Sequence, residues 1–474
     1  MGMFKLIGYL VVLLICFVIG SVIYMATVGP LRVPAVPAIK TGYWGRDRTK
    51  PKLDDEKITQ IKITFSDDRL NDLKSRLAQT YFFESLENNN FNYGFRNEKL
   101  REVVKYWNEI FDWRKQEKML NSYNHFKTQI EGISVHFVHI KSKPKAGQTA
   151  IPLMMVHGWP GSFYEFYKTI PLLLTQANES TDYVFDIVLP SIPGYGYSEA
   201  PHQKGFDASD AARVLQNLMK RLGYERFYIQ GGDWGSIIVT NMAAMYPDSV
   251  KGIHTNMHGG AFSTASVVRQ VITWLFPSLV LGPEEPAYSS IFSRLPEMGY
   301  AIIQATKPDT VGAALVDSPA GLAAYILEKF SSWTNMDNRD HEDGRVTQKF
   351  TMDELLTNIM IYWTSGNITP SLRFYKEYIL SLTGDSAGST VKDWLHVPVT
   401  VPAAFASFPN EFIHTPIYVT KLKFINLIQV SYMPRGGHFA AFEEPKLVAD
   451  DVRKFIMSVE TEAKKRTTNQ KKEL

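Results

Sequence analysis

From about Ile151 onward the chain alternates between short apolar runs and longer stretches in which apolar residues return every third or fourth position. IPLMMVH and FDIVLPSIP read as buried strands. DASDAARVLQNLMKRLGY reads as an amphipathic helix, opened by Asp207 or Ser209 and stopped at Gly223. RFYIQGG follows as a strand, SIIVTNMAAMYP as a helix and VKGIHTNM as a strand. This alternation predicts a parallel sheet covered by helices. Between about 260 and 392 it gives way to aromatic-rich helical text without clear strands. VPVTVPAAFAS and KFINLIQVSYM then return as strands, and EPKLVADDVRKFIMSVE closes the pattern as a helix. A sheet domain interrupted by a helical insertion and then resumed is the layout of an α/β-hydrolase fold with a lid.

Residues from about 58 to 145 are mixed. DDRLNDLKSRLAQ and NEKLREVVKYWNEIF have helical periodicity, whereas GISVHFVHIK alternates as a strand. Its His136 and His139, three apart, point to opposite faces and read as ordinary core and surface histidines rather than a metal pair. Upstream, LIGYLVVLLICFVIGSVIYMATV, Leu6–Val28, carries no charge and is long enough to span a hydrocarbon core of roughly 30 Å. It reads as a retained anchor rather than a cleaved signal, whose apolar core is usually shorter. Positive charge is concentrated after it, at Arg32, Lys40, Arg46, Arg48 and Lys50, which favours a cytosolic body. The final Lys471-Lys472-Glu473-Leu474 resembles a dilysine retrieval signal for the endoplasmic reticulum, more faintly a lumenal K-D-E-L address that would need the opposite topology, or is simply a solvated tail. Asn178-Glu-Ser and Asn367-Ile-Thr match the glycosylation pattern but would stay bare in a cytosolic body.

Composition removes several classes. A net charge of +3 over 474 residues offers no basic stripe, so no nucleic-acid partner is expected. A single cysteine, Cys16, rules out an internal disulfide and a four-cysteine zinc site.

The chemistry concentrates at Gly231-Gly232-Asp233-Trp234-Gly235, which has the spacing of a nucleophile elbow with aspartate in place of serine. Gly231, Gly232 and Gly235 suit a sharp strand-to-helix turn; the alternative is a plain turn with an N-capping aspartate. Some seventy residues earlier, His157-Gly158-Trp159-Pro160-Gly161 follows a strand, making the backbone N–H groups of Trp159 and Trp234 candidate oxyanion donors. His157 itself reads as a packed strand-end residue. The chain order of this fold is nucleophile, acid, histidine. His438 lies in a glycine loop between the last strand and the last helix, and Glu411 follows the preceding strand, with Asp385 and Asp393 as alternatives.

A carboxylate is ionised at neutral pH and attacks without prior deprotonation. It suits displacement at an sp³ carbon, leaving an alkyl ester that histidine-activated water then hydrolyses at the Asp233 carbonyl carbon. A halide leaves unaided, whereas an epoxide oxygen wants a proton donor such as tyrosine. The insertion offers Tyr288, Tyr300, Tyr325, Tyr362, Tyr375 and Tyr378, and the residues alone do not select among them.

HGWPG, GGDWG, GYAIIQATKPDTVGAALVDSPAGLAAYILEKFSSWT, LLTNIMIYWTSGNITPSLRFYKE and RGGHFAAFEEP resemble the microsomal epoxide hydrolases, a membrane-anchored family that includes the insect juvenile hormone epoxide hydrolases. The similarity runs over nearly the whole chain. It implies Asp233 as nucleophile, His438 as the water-activating base, Glu411 as its acid partner, and Tyr300 and Tyr375 as the lid tyrosines. It also implies a lipophilic epoxide and water as substrates, no metal or organic cofactor, and a bilayer contact through residues 6–28 in the endoplasmic reticulum membrane. The segments expected are an anchor (1–30), a linker (31–57) and a wrapping N-terminal segment (58–148). After these come the first part of the core (149–260), the lid (261–392), and the second part of the core with the tail (393–474). Juvenile hormone epoxide is the narrower expectation and xenobiotic epoxides the alternative. A haloalkane dehalogenase would not need two lid tyrosines, and Asp233 excludes a serine esterase. A non-catalytic lipid- or hormone-binding member of the fold would usually lack one of these groups.

Overall fold

The computed structural model describes residues 36–47, 49–175, 182–257, 264–285, 297–383 and 391–473, with four isolated positions before them. Nine strands form one sheet among these: β1 (Thr59–Ile61), β2 (His125–Ile130), β3 (Ile133–Ile140), β4 (Thr149–Val156), β5 (Tyr183–Pro190), β6 (Phe227–Gly231), β7 (Val250–Thr255), β8 (Ala403–Ser407) and β9 (Leu427–Tyr432). Their order is β1-β2-β3-β5-β4-β6-β7-β8-β9. Pairing is antiparallel from β1 through β3 to β5 and parallel from β5 onward. β6 is buried along its whole length, and β4, β5 and β7 along most of theirs, because helices cover both faces. Their unbroken apolar text reflects that.

The helix α1 (Ala208–Arg221) starts where the sequence says it must. The Asp207 carboxylate accepts from the Ser209 and Asp210 N–H groups, and Asp210 accepts in return from the Asp207 N–H. Gly223 follows at φ 84°, a left-handed stop. The helix after β6, α2 (Trp234–Met245), begins two residues earlier than its apolar periodicity suggests. Between β7 and β8 the described residues form helices joined by turns, including α3 (Gly299–Thr306), α4 (Pro319–Ser332), α5 (Met352–Ser365) and α6 (Ile368–Thr383). The chain closes with α7 (Pro445–Glu473). The strand expected over VPVTVPAAFAS is shorter, since upstream of Ala403 only Val399 makes an isolated bridge, to Phe424.

The sequence from 58 to 145 extends the sheet. His125 and His136 are buried in it as a hydrogen-bonded pair, not as metal ligands. His125 Nε2 meets the Leu120 carbonyl at 2.9 Å, so that nitrogen carries the proton. Its Nδ1 therefore accepts from His136 Nε2–H at 2.9 Å, and His136 Nδ1 accepts from the Ser191 hydroxyl at 2.8 Å. One carbonyl thus fixes both tautomers. Burial pushes the His125 pKa down to about 4. An imidazole neutral in the fold but titrating near 6.5 when unfolded leaves stability intact above pH 6.5 and withdraws it as pH falls toward 4. His125→Asn keeps an acceptor for His136 without that titration. Denaturant unfolding is expected to show the parent losing ground to this variant between pH 7 and 4, by on the order of 3 kcal/mol. A constant difference across that range would refute the assignment.

Among the described residues no single helix is long and apolar enough to cross a membrane. The segment Leu6–Val28 lies outside the described residues but for Leu13, Cys16, Ile19 and Gly20, and Asn178 lies outside them too. So do Leu474 and the side chains of Lys471 to Glu473. Asn367 is buried, and its amide donates to the carbonyls of Gly196 and Ser198 at 2.9 and 2.8 Å, so that side chain is committed to the fold.

Candidate active site

β6 ends at Gly231 and α2 begins at Trp234, leaving Gly232 and Asp233 to turn the chain. So tight a turn brings backbones together. A Cβ on Gly231 would stand 2.5 Å from the Gly235 carbonyl, one on Gly232 2.8 Å from the Asn256 amide, and one on Gly235 1.9 Å from the Val156 oxygen. Asp233 sits at φ 50°, ψ −129°. Such a conformation costs a non-glycine residue roughly 1–3 kcal/mol and persists where the surroundings over-determine it. Its side chain makes no cap bond to α2, which removes an N-capping turn as its explanation. Instead Oδ1 accepts from the Trp159 N–H at 2.7 Å. Gly158 permits the approach, since a Cβ there would lie 2.2 Å from Oδ1. Of the two expected backbone donors, Trp159 is thus bonded to the carboxylate, while Trp234 opens the helix beside it. His157 is scaffold: Nδ1–H donates to the Gly158 carbonyl and Nε2 accepts from the Ile192 N–H.

Glu411 follows β8 and His438 follows β9, and the two loops are tied together. The Asn410 N–H donates to the Gly436 carbonyl at 3.1 Å, and the His438 N–H donates to the Trp333 carbonyl at 3.1 Å. His438 Nδ1–H donates to Glu411 Oε1 at 2.6 Å, both side chains being buried. That bond orients the ring. Nε2 then faces Asp233 Oδ2 at 3.3 Å, out of hydrogen-bonding alignment and with no other partner among the described residues. Burial by itself pushes the His438 pKa down, but Glu411 and Asp233 on its two nitrogens outweigh burial and hold it well above the ordinary value. Asp393 is exposed and Asp385 lies outside the described residues, so Glu411 is the acid that meets the histidine.

Aromatic rings roof this group. Tyr300, on α3, stacks on Trp159 at 5.3 Å, and Tyr375, on α6, meets Trp159 and Trp234 edge-on at 5.7 and 4.7 Å. The two tyrosines stand 5.8 Å apart, ring to ring. Burial first, then neighbouring charge that includes Asp233, pushes both phenols well above their usual range, so both carry their protons. Other tyrosines of the insertion are spoken for. Tyr362 donates to the Gly161 carbonyl at 2.7 Å, Tyr325 accepts from Gln304 at 3.2 Å, and Tyr288 lies outside the described residues. Tyr378 packs on Trp234 but feels the charge of Asp207 rather than that of Asp233.

Two carboxyl groups escaped the sequence reading. Glu443 accepts from the N–H groups of Gly437 and Phe439, both at 2.9 Å, and so grips the residues on either side of His438. Its position, four residues beyond Phe439 in a short helix, is one longer than the spacing of a capping box, so no standard pattern announced it. Glu165 lies in the short helical turn Phe163–Phe166 with Oε2 against Gly161, where a Cβ would stand 2.1 Å away. Burial, then the Asp233 charge, pushes its pKa up to about 8. Its only sequence signal is a lone carboxylate in the aromatic run Phe163-Tyr164-Glu165-Phe166-Tyr167.

Comparison with known proteins agrees with this geometry. Residues 58–166 match the model of the epoxide hydrolase N terminus, and residues 151–370 match that of the alpha/beta hydrolase fold. The chain is 49% identical over 430 residues to epoxide hydrolase 1 of Sus scrofa, covering 88% of this chain and 92% of that protein. It is 43% identical to juvenile hormone epoxide hydrolase 2 of Ctenocephalides felis, covering 94% and 95% of the two chains. Among solved structures, the juvenile hormone epoxide hydrolase of Bombyx mori superposes with a TM-score of 0.82 at 40% identity, covering 89% of this chain and 98% of that one. Sequence, fold and comparison thus converge: the chain belongs to the epoxide hydrolase family, on an α/β-hydrolase fold, and is an enzyme that opens epoxides with water.

Proposed function

We propose that the reaction runs in two covalent steps, with Asp233 as nucleophile. The observation that carries this reading is the division of labour between its oxygens: Oδ1 is held by the Trp159 N–H and Oδ2 faces His438. Oδ2 attacks an epoxide carbon and the C–O bond of the ring breaks. The epoxide oxygen takes a proton from Tyr300 or Tyr375, leaving an alkyl ester and a tyrosinate. Water, deprotonated by His438 Nε2, then adds to Cγ of Asp233. The oxyanion forms on Oδ1, where the Trp159 N–H already sits. Collapse breaks the Cγ–Oδ2 bond, Oδ2 departs in the diol, and the imidazolium protonates it. Before water adds, the resting imidazolium returns the tyrosinate to tyrosine, and the carboxylic proton that hydrolysis leaves on Asp233 afterwards passes back to His438.

The charges explain why one histidine serves without interfering in the first step. In the resting site two carboxylates keep it protonated, so it does not act as a base. Alkylation of Asp233 removes one of these charges, and the His438 pKa falls when a base is required. A single turnover in ¹⁸O-labelled water is expected to place label in Asp233 and ordinary oxygen in the first-formed diol. Label in the diol alone would mean direct attack by water.

The substrate class is lipophilic epoxides. Juvenile hormone epoxide is the narrower candidate, supported by relatives from Ctenocephalides felis and Bombyx mori that carry that name at 43% and 41% identity. The closer likeness to epoxide hydrolase 1 of Sus scrofa and Oryctolagus cuniculus, at 49% and 47%, favours a broader range. The ratio of kcat/KM for the hormone to that for a simple aryl epoxide separates the two. The helical insertion, taken as a lid, and the uncharged run Leu6–Val28, taken as a single-pass anchor in the endoplasmic reticulum membrane, suit substrates that partition into lipid. Loss of the body to protease added outside intact microsomes tests the cytosolic orientation.

A further inference from the structure

Against Asp233 lies a cavity of about 20 Å³, bounded by Glu165, Gln230, Asp233, Asn256 and His438 and closed by apolar side chains such as Phe166. That is room for one water molecule. Its polar walls are unsatisfied. His438 Nε2 and Gln230 Oε1 are buried and have no hydrogen-bond partner among the described residues. The Gln230 amide nitrogen donates to Asn256 Oδ1 at 3.1 Å, so the oxygen is the end left over. Leaving a buried polar atom unpaired costs roughly 1–3 kcal/mol. Two such atoms on a cavity of this size suit a ligand that is both donor and acceptor.

We propose that this cavity holds the water that hydrolyses the ester, and that Glu165 and Gln230 are its positioning residues. The inference rests on the two-step reading above. The two glycines of His157-Gly158-Trp159-Pro160-Gly161 then have separate tasks. Gly158 admits the Asp233 carboxylate, and Gly161 admits the carboxyl of Glu165. Water gives one proton to His438 Nε2 and hydrogen-bonds through the other to the Glu165 carboxyl or Gln230 Oε1. This holds its lone pair toward Cγ of Asp233. With a pKa of about 8, Glu165 is neutral at pH 7. In the resting site it therefore adds no further negative charge beside Asp233.

The test separates the two chemical steps. In rapid-quench single turnovers of the full chain, Glu165→Leu is expected to alkylate at the parental rate. Its ester should hydrolyse about 10- to 100-fold more slowly and accumulate on Asp233, a loss typical of a misplaced reactant. Glu165→Gln, which keeps a carbonyl acceptor, should hydrolyse its ester at close to the parental rate. Gln230→Met should show the same selective slowing as Glu165→Leu, and stands in for it if the leucine variant does not fold. Parental ester hydrolysis in Glu165→Leu or Gln230→Met overturns the assignment. So does an equal fall of both steps, which a merely structural role would give. If the parent itself forms no ester, the two-step reading fails first and the water site with it.

Discussion

Replacing Asp233 with alanine is expected to abolish diol formation, lowering kcat by ~10⁵-fold or more, the scale lost when a covalent nucleophile is removed. The roof of Trp159, Tyr300 and Tyr375 remains in that variant, so a lipophilic epoxide still binds, as equilibrium dialysis would show. Turnover that survived the substitution would place the nucleophile elsewhere. The backbone adds a second expectation. At φ 50° alanine is strained and glycine is not. Asp233→Gly and Asp233→Ala lose the same bond to Trp159 and the same contact with His438. The glycine variant is therefore expected to be the more stable of the two, by about 1–2 kcal/mol, reversing the usual order. Urea midpoints of the two inactive proteins measure this directly. Alanine at least as stable as glycine would mean that the elbow stores no strain.

What could be read before the structure was known follows from how local each signal is. The elbow announces itself because a sharp strand-to-helix turn needs glycines at fixed offsets, and Gly231, Gly232 and Gly235 all meet a neighbour where a Cβ would go. His438 and Glu411 were placed by chain order within a repeating strand–loop pattern, and the structure brings them to 2.6 Å. The tyrosines were different. Six candidates lay in one aromatic insertion, and only the family resemblance chose between them. In the fold Tyr300, Tyr325 and Tyr375 all meet Trp159, and what sets Tyr300 and Tyr375 apart is their contact with each other and the Asp233 charge that both feel. β1 is three residues long and β2 has the irregular burial of a strand covered on both sides, so neither shows a clean period of two. Glu165 was invisible for a further reason. Its meaning lies in sharing a cavity with Asp233 and His438, which come from turns far along the chain, and no local pattern encodes such a meeting.

His438→Gln is expected to divide the reaction rather than stop it. On the two-step proposal the imidazole takes no part in the first bond formation, and glutamine preserves much of its volume. Alkylation of Asp233 should therefore proceed, and mass spectrometry of the quenched enzyme should find one substrate adduct on the peptide carrying that residue. Hydrolysis of the adduct loses its general base, a change worth roughly 10²- to 10⁴-fold. The first turnover thus appears as a stoichiometric burst, followed by almost nothing. The parent supplies the pH dependence. In the alkylated enzyme only Glu411 still faces the ring, so the His438 pKa lies below its resting value. Ester hydrolysis should rise with pH through that lowered value, and this dependence should vanish in His438→Gln. A variant that neither alkylates nor hydrolyses would show that His438 is also needed to hold Asp233 in place. In that case the 3.3 Å contact between Nε2 and Oδ2, rather than proton transfer, would be the reason the two side chains stand together.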